Sequence, residues 1–399
     1  MANKLWTADY IKKFHCIGSQ CEDTCCKGWV ISVDKNCYDF YKNEKDTALS
    51  PYFQECISTT PDSNTDDSYG AIELTSQGTC PFLTEDNLCK IYLEYGSKGM
   101  CKVCTFYPRI TKKVNKEYYQ TGDLSCPEMA RLILLSPKLS KWIVSNNSDD
   151  IDFLISNQLN SNYNQIKSIQ QILINIINMK EYSLSKRLWL ISAFIEQLHV
   201  LVQKGNHKAI KIAKNKVEDI KNGKIKNYLE QRLILLIEGI LNMINVPSIE
   251  PRFKECLNLF QEGLCIQPGK EYKINEILTH YHFIYKKYYQ PFTVANGYIL
   301  ENYCMHDFMN NLFPYTIQSL GMQYEKFILC YSILQFMLIG ISASSKGINK
   351  EIVIQLFQTF SRTFEHSETF FNDFILSINK KLIKNSIPYN TRITIFLSE

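Results

Sequence analysis

The chain has 399 residues, with 44 Lys and Arg against 40 Asp and Glu for a net charge of +4. Apolar residues make up 45% and charged residues 21%, which excludes wholesale disorder, and so even a balance gives no electrostatic case for nucleic acid or membrane. The abnormal count is cysteine: 15 residues, 11 of them before residue 127.

The opening MANKLWTADYIKKFHC has no long apolar run and no small-residue cleavage site, so we expect a cytoplasmic protein whose thiols stay reduced and serve metal or redox chemistry rather than disulfides. Trp29 to Val33 reads as a strand, and Asp34 as the cap of a short helix through Tyr41. Ser50-Pro51 reads as the cap and first residue of another helix ending near Ile57. The polar run Thr59 to Ser68 separates two groups of cysteines. Tyr118 to Thr121 reads as a strand. Ser125-Cys126-Pro127-Glu128 is a capping box opening a helix over Met129 to Leu135, stopped before Pro137. A second polar run, Ser145 to Asp150, marks a domain boundary and divides the chain into 1–145 and 146–399.

Beyond that boundary the patterning is helical. Leu184, Leu188, Ile191, Ile195, Leu198 and Val202 step by fours and threes up to Gly205, one apolar stripe. Lys208 to Lys226 is basic and amphipathic. Further helices are expected over Tyr228 to Ile244, Ile274 to Tyr289, Tyr298 to Leu312, Tyr324 to Ile341 and Ile352 to Ile378. The uncharged run Phe327 to Ser345 approaches membrane-span length, but its polar end favours a buried helix. The expected fold class is mainly α: a cysteine-rich, metal-binding N-terminal domain of short helices and few strands, then a larger all-helical domain. Residues 1–130 hold 14 basic and 18 acidic side chains, so the helical part carries the positive excess, which a solvated surface explains.

The first cysteine group is Cys16-x4-Cys21-x3-Cys25-Cys26, followed by Lys27-Gly28-Trp29. The second is Cys80-Pro81-Phe82-Leu83-x5-Cys89-x14-Cys104, with Cys126 after it. Thiolates converging from two such groups suit an iron–sulfur cluster or zinc, either as one four-cysteine site with spare thiols or as two sites. The candidate ligands are Cys16, Cys21, Cys25, Cys26, Cys80, Cys89, Cys104 and Cys126. Glycines at 18, 28 and 78 permit tight turns beside them. Cys126, at the start of a helix, meets free N–H groups that stabilise a thiolate. His15, beside Cys16, is a further possible ligand. Cys101-x2-Cys104 lacks the strand and long helix of a thioredoxin-like pair. The direct sequel of Cys25 by Cys26 departs from the Cys-x3-Cys-x2-Cys loop of radical enzymes.

Cys21-Glu-Asp-Thr-Cys25-Cys26-Lys-Gly-Trp29, Cys80-Pro-Phe-Leu83, Leu88-Cys89-Lys-Ile91, Cys104-Thr-Phe-Tyr-Pro108-Arg109 and Leu124-Ser-Cys126-Pro-Glu-Met-Ala-Arg131 together resemble the flagellin lysine-N-methylase family. Leu300-Glu301-Asn302-Tyr303 with Asn310-Asn311-Leu312-Phe313-Pro314 resembles its C-terminal helical signature. The first two cysteine blocks also resemble, more loosely, small zinc- or iron-chelating proteins. Cys37 and Cys101 fall outside the blocks and are left out of the ligand set.

The resemblance implies methyl transfer from S-adenosylmethionine (SAM) to lysine amines of flagellin by an enzyme carrying an iron–sulfur cluster, 4Fe–4S in type. The alternative is a metal-chelating or iron–sulfur protein without transferase activity. No glycine-rich loop after a strand marks a SAM site. A lysine amine must lose its proton before attacking a sulfonium methyl, so the active site needs a low-dielectric slot with aromatic faces and a base or tyrosine. The aromatic run Tyr281 to Tyr289 offers such faces or simple core packing, and Tyr285, Glu301 and Tyr303 are the catalytic candidates. Asn302 either lines the site beside them or, with Glu301, belongs to a structural network. Arg109 is the candidate for the SAM carboxylate, for charge near the cluster, or for a structural salt bridge.

Overall fold

The computed structural model describes residues 4–59, 65–115, 117–145, 155–159, 163–244, 249–267, 269–311, 319–365, 382 and 386–399. Two compact units are formed, one from Met1–Leu132 with Lys141–Leu159, the other from Ile133–Ser140 with Asn160–Glu399. The first unit therefore continues past the polar run at Ser145, whose residues 146–150 lie outside the described residues.

In the first unit, strands β1 (Lys4–Ala8), β2 (Ile31–Val33), β3 (Ile57–Thr59), β4 (Gly70–Ile72), β5 (Arg109–Val114), β6 (Glu117–Gly122), β7 (Trp142–Ser145) and β8 (Ile155–Leu159) make two sheets. A mixed five-stranded sheet runs β7-β1-β6-β5-β8, and an antiparallel one runs β2-β4-β3. The few strands expected of this unit are present, but β1, β3, β4, β7 and β8 are three to five residues long and carry no clear alternation that would locate them in the sequence. The β5–β6 hairpin pairs Val114 with Glu117, and Asn115 takes the left-handed conformation (φ 54°) such a turn requires.

Short helices follow the cap signals. Helix α1 (Lys35–Asn43) starts at Asp34, whose carboxylate accepts from Cys37 N–H. Helix α2 (Ser50–Glu55) departs from its signal: Leu49 takes the cap position, without a side-chain cap bond, and Ser50 and Pro51 open the helix. Helices α3 (Lys90–Tyr95) and α4 (Lys102–Phe106) begin immediately after Cys89 and Cys101, and α5 (Pro127–Leu134) immediately after Cys126. A small core gathers Ile31, Val33, Tyr41, Phe53, Phe82 and Ile91 with the sulfurs of Cys80 and Cys101. Tyr41 stacks on Phe53 at 4.6 Å and donates to the Gly99 carbonyl at 2.6 Å.

The second unit contains α6 (Tyr163–Ile177), α7 (Leu184–Gln203), α8 (Ala209–Ile220), α9 (Leu229–Ile244), α10 (Pro251–Leu264), α11 (Ile274–Ile284), α12 (Gln290–Asn296), α13 (Tyr298–Asn310), α14 (Leu320–Ser344), α15 (Lys350–Phe360) and α16 (Tyr389–Leu397). A π turn, Tyr285–Tyr289, joins α11 to α12, and a second, Ser361–Glu365, follows α15. Residues 312–314 of the helical signature and 366–378 of the last expected helix lie outside the described residues. Helix α10 was not expected, although Glu250 caps it by accepting from Phe253 N–H and Pro251 opens it.

Helix α14 is apolar around its whole circumference because it is the axis of this unit, packed by α7, α9, α10, α11, α15 and α16. It is long and apolar enough to cross a membrane by length and composition alone, but 89% of its most apolar window is buried inside the protein. Helices α10 and α14 touch backbone to backbone: a Cβ placed on Gly263 would lie 1.9 Å from the Gly340 carbonyl oxygen.

Candidate functional site

Two backbone ladders assemble the cysteines. Cys80 N–H donates to the Cys26 carbonyl at 2.8 Å and Gly28 N–H to Gly78 at 2.9 Å, so the first cysteine group lies along the approach to Cys80. Lys90 N–H donates to Phe82 and Thr84 N–H to Leu88, both at 2.8 Å, folding Cys89 back towards Cys80. Gly18, Gly28 and Gly78 adopt φ of 56°, 80° and 72°, the turn-forming conformations expected of them. All fifteen cysteines, each among the described residues, are thiols rather than disulfides.

The sulfurs share one electrostatic neighbourhood. A charge on Cys25 bears directly on Cys80, Cys89, Cys104 and Cys126. Cys26 adjoins Cys104, and Cys21 links Cys126 to the exposed Cys16. Backbone N–H groups point at several of these sulfurs: Phe82 at Cys80, Ile91 and Tyr92 at Cys89, Glu128 and Met129 at Cys126. The sulfur of Cys126 thus meets the helix-start N–H groups expected of it. Burial works against them and pushes its thiol up to about 12. Burial likewise raises Cys80 to about 12 and Cys21 to about 11.

Cys101, which the family-like blocks left outside the ligand set, belongs to this neighbourhood. It is 1% exposed and hydrogen-bonds Cys104, and its charge is felt at Cys80 and Cys89. Bonding to Cys104 favours the Cys101 thiolate against burial, while the same bond and burial hold Cys104 protonated. The signal available in the sequence was Cys101-x2-Cys104, with one cysteine capping a short helix and the other inside it. Cys37 is nearby too, donating to the Met100 carbonyl at 3.4 Å. His15 is exposed and its ring contacts the Lys13 carbonyl. Among the described residues, no three Cys, His, Asp or Glu side chains close on one metal position. The thiols are gathered but do not form a finished coordination sphere.

The other candidates have separate surroundings. The guanidinium of Arg109 lies 5.0 Å over the Phe14 ring. Glu301, half-buried, is ion-paired through one oxygen to Lys180 and through the other to Arg187. These bonds offset burial and leave its carboxyl below the usual range. Such a carboxylate is a clamp for two cations, not an available base. Asn302 is buried and donates to the carbonyls of Leu134 (3.0 Å) and Ser136 (2.7 Å), tying down the end of α5. Tyr303, 3% exposed, packs against Phe327 and Phe357 in the core. Tyr285 stands apart in the π turn, half-buried against Tyr281 and Tyr289. The basic stretch forms α8, where Lys208, Lys211 and Lys214 rim a cleft of about 660 Å³ floored by Ile172, Val202 and Ile210.

A cysteine-gathering unit of short sheets and helices followed by a mainly helical unit defines the class of this protein. The sequence model of the FliB lysine N-methylase C-terminal domain matches residues 170–386, more than half of the chain. The chain belongs to the FliB lysine N-methylase family. It is 36% identical over 129 residues to the lysine-N-methylases of Salmonella typhimurium (strain LT2) and Salmonella choleraesuis (strain SC-B67), 32% of either length. It is 35% identical over 129 residues to the flagellar biosynthetic protein FliU of Salmonella muenchen, 32% of this chain and 75% of that protein. The match thus spans about a third of the lysine-N-methylases' own length. No solved structure matches.

Proposed function

We propose that this protein is a cytoplasmic SAM-dependent methyltransferase acting on lysine side chains of flagellin, with a cluster-binding cysteine unit. Membership of the FliB family supports the reaction, and the relatives' printed names, lysine-N-methylase and FliU, support the substrate. The observation that carries the cofactor is the set of four sulfurs grouped around Cys25. Soft thiols with backbone N–H groups aimed at them fit an iron–sulfur cluster by donor chemistry. Cys25, Cys80, Cys89, Cys104 and Cys126 are the residues that would hold it, with Cys101 in reserve. When bound, such a cluster supplies a redox-active, Lewis-acidic iron centre. In the transfer, the lysine nitrogen lone pair forms the new N–C bond while the sulfonium S–C pair returns to sulfur, and the amine proton passes to solvent.

The test is anaerobic purification followed by measurement of iron, sulfide, zinc and the visible spectrum, then incubation with flagellin and methyl-labelled SAM. Iron and sulfide with absorbance near the 400-nm region, and label on flagellin lysines, are expected. Zinc alone would refute the cluster. A filled metal site with no label on lysine would refute the transferase in favour of a metal-binding protein.

A further inference from the structure

The helical unit contains a buried polar cluster that the cysteine unit does not explain. Arg232 on α9 has no exposed surface. Its Nε donates to Ser332 Oγ at 3.0 Å, its Nη1 to the Ser398 carbonyl at 2.6 Å and its Nη2 to Gln335 Oε1 at 2.7 Å and, more weakly, the Ser332 carbonyl at 3.4 Å. Every acceptor is neutral, and among the described residues no carboxylate stands within ion-pair distance of the guanidinium. The carboxylate of Glu399 reaches it only through Gln335, which bonds both, and a buried cation with no counter-charge in direct contact is expensive.

Two further groups in the same place lack partners. The hydroxyls of Tyr281 and Tyr289 are buried with no partner in good hydrogen-bond geometry, although the Arg232 side chain lies close enough to Tyr281, and Gln335 to Tyr289, to act on the phenol oxygen. The π turn Tyr285–Tyr289 draws the rings together, Tyr285 lying 5.5 Å from Tyr289 and 6.1 Å from Tyr281. Single π turns inside helices occur frequently at functional sites. At the solvent edge, the exposed Glu399 accepts from Ser185 Oγ at 2.5 Å and from Gln335 Nε2 at 3.1 Å, and its charge is felt by all three tyrosines.

A buried guanidinium flanked by two unused O–H donors is matched by a carboxylate. A carboxylate at the edge is matched by an ammonium, and tyrosine faces by a soft cation. One ligand carrying all three is an α-amino acid with a sulfonium side chain. We propose that Arg232, Tyr281, Tyr289 and Glu399 bind the amino-acid head of the methyl donor SAM, with Tyr285 at the mouth of the site. This rests on the transferase reading above. Ordinary buried water would satisfy the two hydroxyls but would bring no counter-charge into direct contact with Arg232.

The test is calorimetric titration of SAM into the full-length protein and into Tyr281→Phe/Tyr289→Phe and Glu399→Gln. The double variant keeps the rings and the packing, and Glu399 is exposed, so melting temperatures should stay near wild type. We expect SAM affinity to fall about tenfold or more in the double variant and several-fold in Glu399→Gln. Wild-type affinity in both variants overturns this site while leaving the transferase reading intact. A wild-type protein that takes up no SAM at all overturns that reading, and this site with it.

Discussion

Helix α14 buries 89% of its apolar window against helices on every side, whereas the cysteine unit relies on strands of three to six residues and helices of five to nine. Long helices order many residues per buried face, so burial alone sustains them. Short elements bury little, and in the first unit the sulfurs of Cys80 and Cys101 take core positions beside Phe53 and Phe82. The same thiols that gather as candidate ligands therefore also fill the core. The two halves should fail for different reasons: one when its sulfurs are changed or deprived of the proposed cluster, the other when its packing is violated.

The largest effect should come from attacking the sulfurs. If the unit holds the proposed cluster, stripping it with a chelator, or replacing Cys25 by Ser, should remove the hydrogen-exchange protection of α3, α4 and the β2-β4-β3 sheet. Protection of α10 and α14 should survive. Structural metal sites contribute about 10 kcal/mol or more to small domains, so a first unit that keeps full protection without metal would show that its apolar core suffices.

The converse attack is Gly263→Val. Its Cβ would meet the Gly340 carbonyl, and neither helix backbone has side-chain freedom to yield. A loss of about 3 kcal/mol is expected, read as a lower melting temperature of the helical unit with metal content per chain unchanged. Asp34→Ala should cost about 2 kcal/mol and only in the cysteine unit, because one carboxylate caps α1 at Cys37 and also accepts from Lys102 N–H at 2.8 Å. Urea unfolding followed at the Trp29 and Tyr41 environments would register it. An equal loss in helical signal would mean that the units unfold together.

Legibility followed the same division. The stripe from Leu184 to Val202 became α7, and the cap at Asp34 marked a true helix start, because periodicity and capping are local. Strand pairing is not local: β1 lies parallel to β6, more than a hundred residues away, and no strand so short announces its partner. The cysteine neighbourhood was readable from spacing except for Cys101, which enters it through the fold of α4. The family-like run at Leu300 to Tyr303 suggested chemistry, yet its side chains tie the helical unit together. The Arg232 cluster was invisible, since Arg232, Gln335 and Glu399 are distant in sequence and each reads as an ordinary polar residue.

The smallest effect concerns Glu301 and tests that last distinction. Burial alone would raise its carboxyl, but hydrogen bonds and charge from Lys180 and Arg187 reverse the sign and hold it below the usual range. A carboxyl lowered by folding contributes stability above its unfolded value of about 4.3, and that stability is lost as pH falls through the folded value. The melting temperature of the helical unit should therefore drop more steeply in acid for wild type than for Glu301→Gln, with the two differing by about 1 kcal/mol at neutral pH. The side chain of Arg187 is only 5% exposed, so the variant leaves a buried cation poorly matched and should be the less stable protein above pH 5. Parallel acid curves for the two would mean that the Lys180–Glu301–Arg187 bridge contributes nothing and that the carboxylate is free for another role.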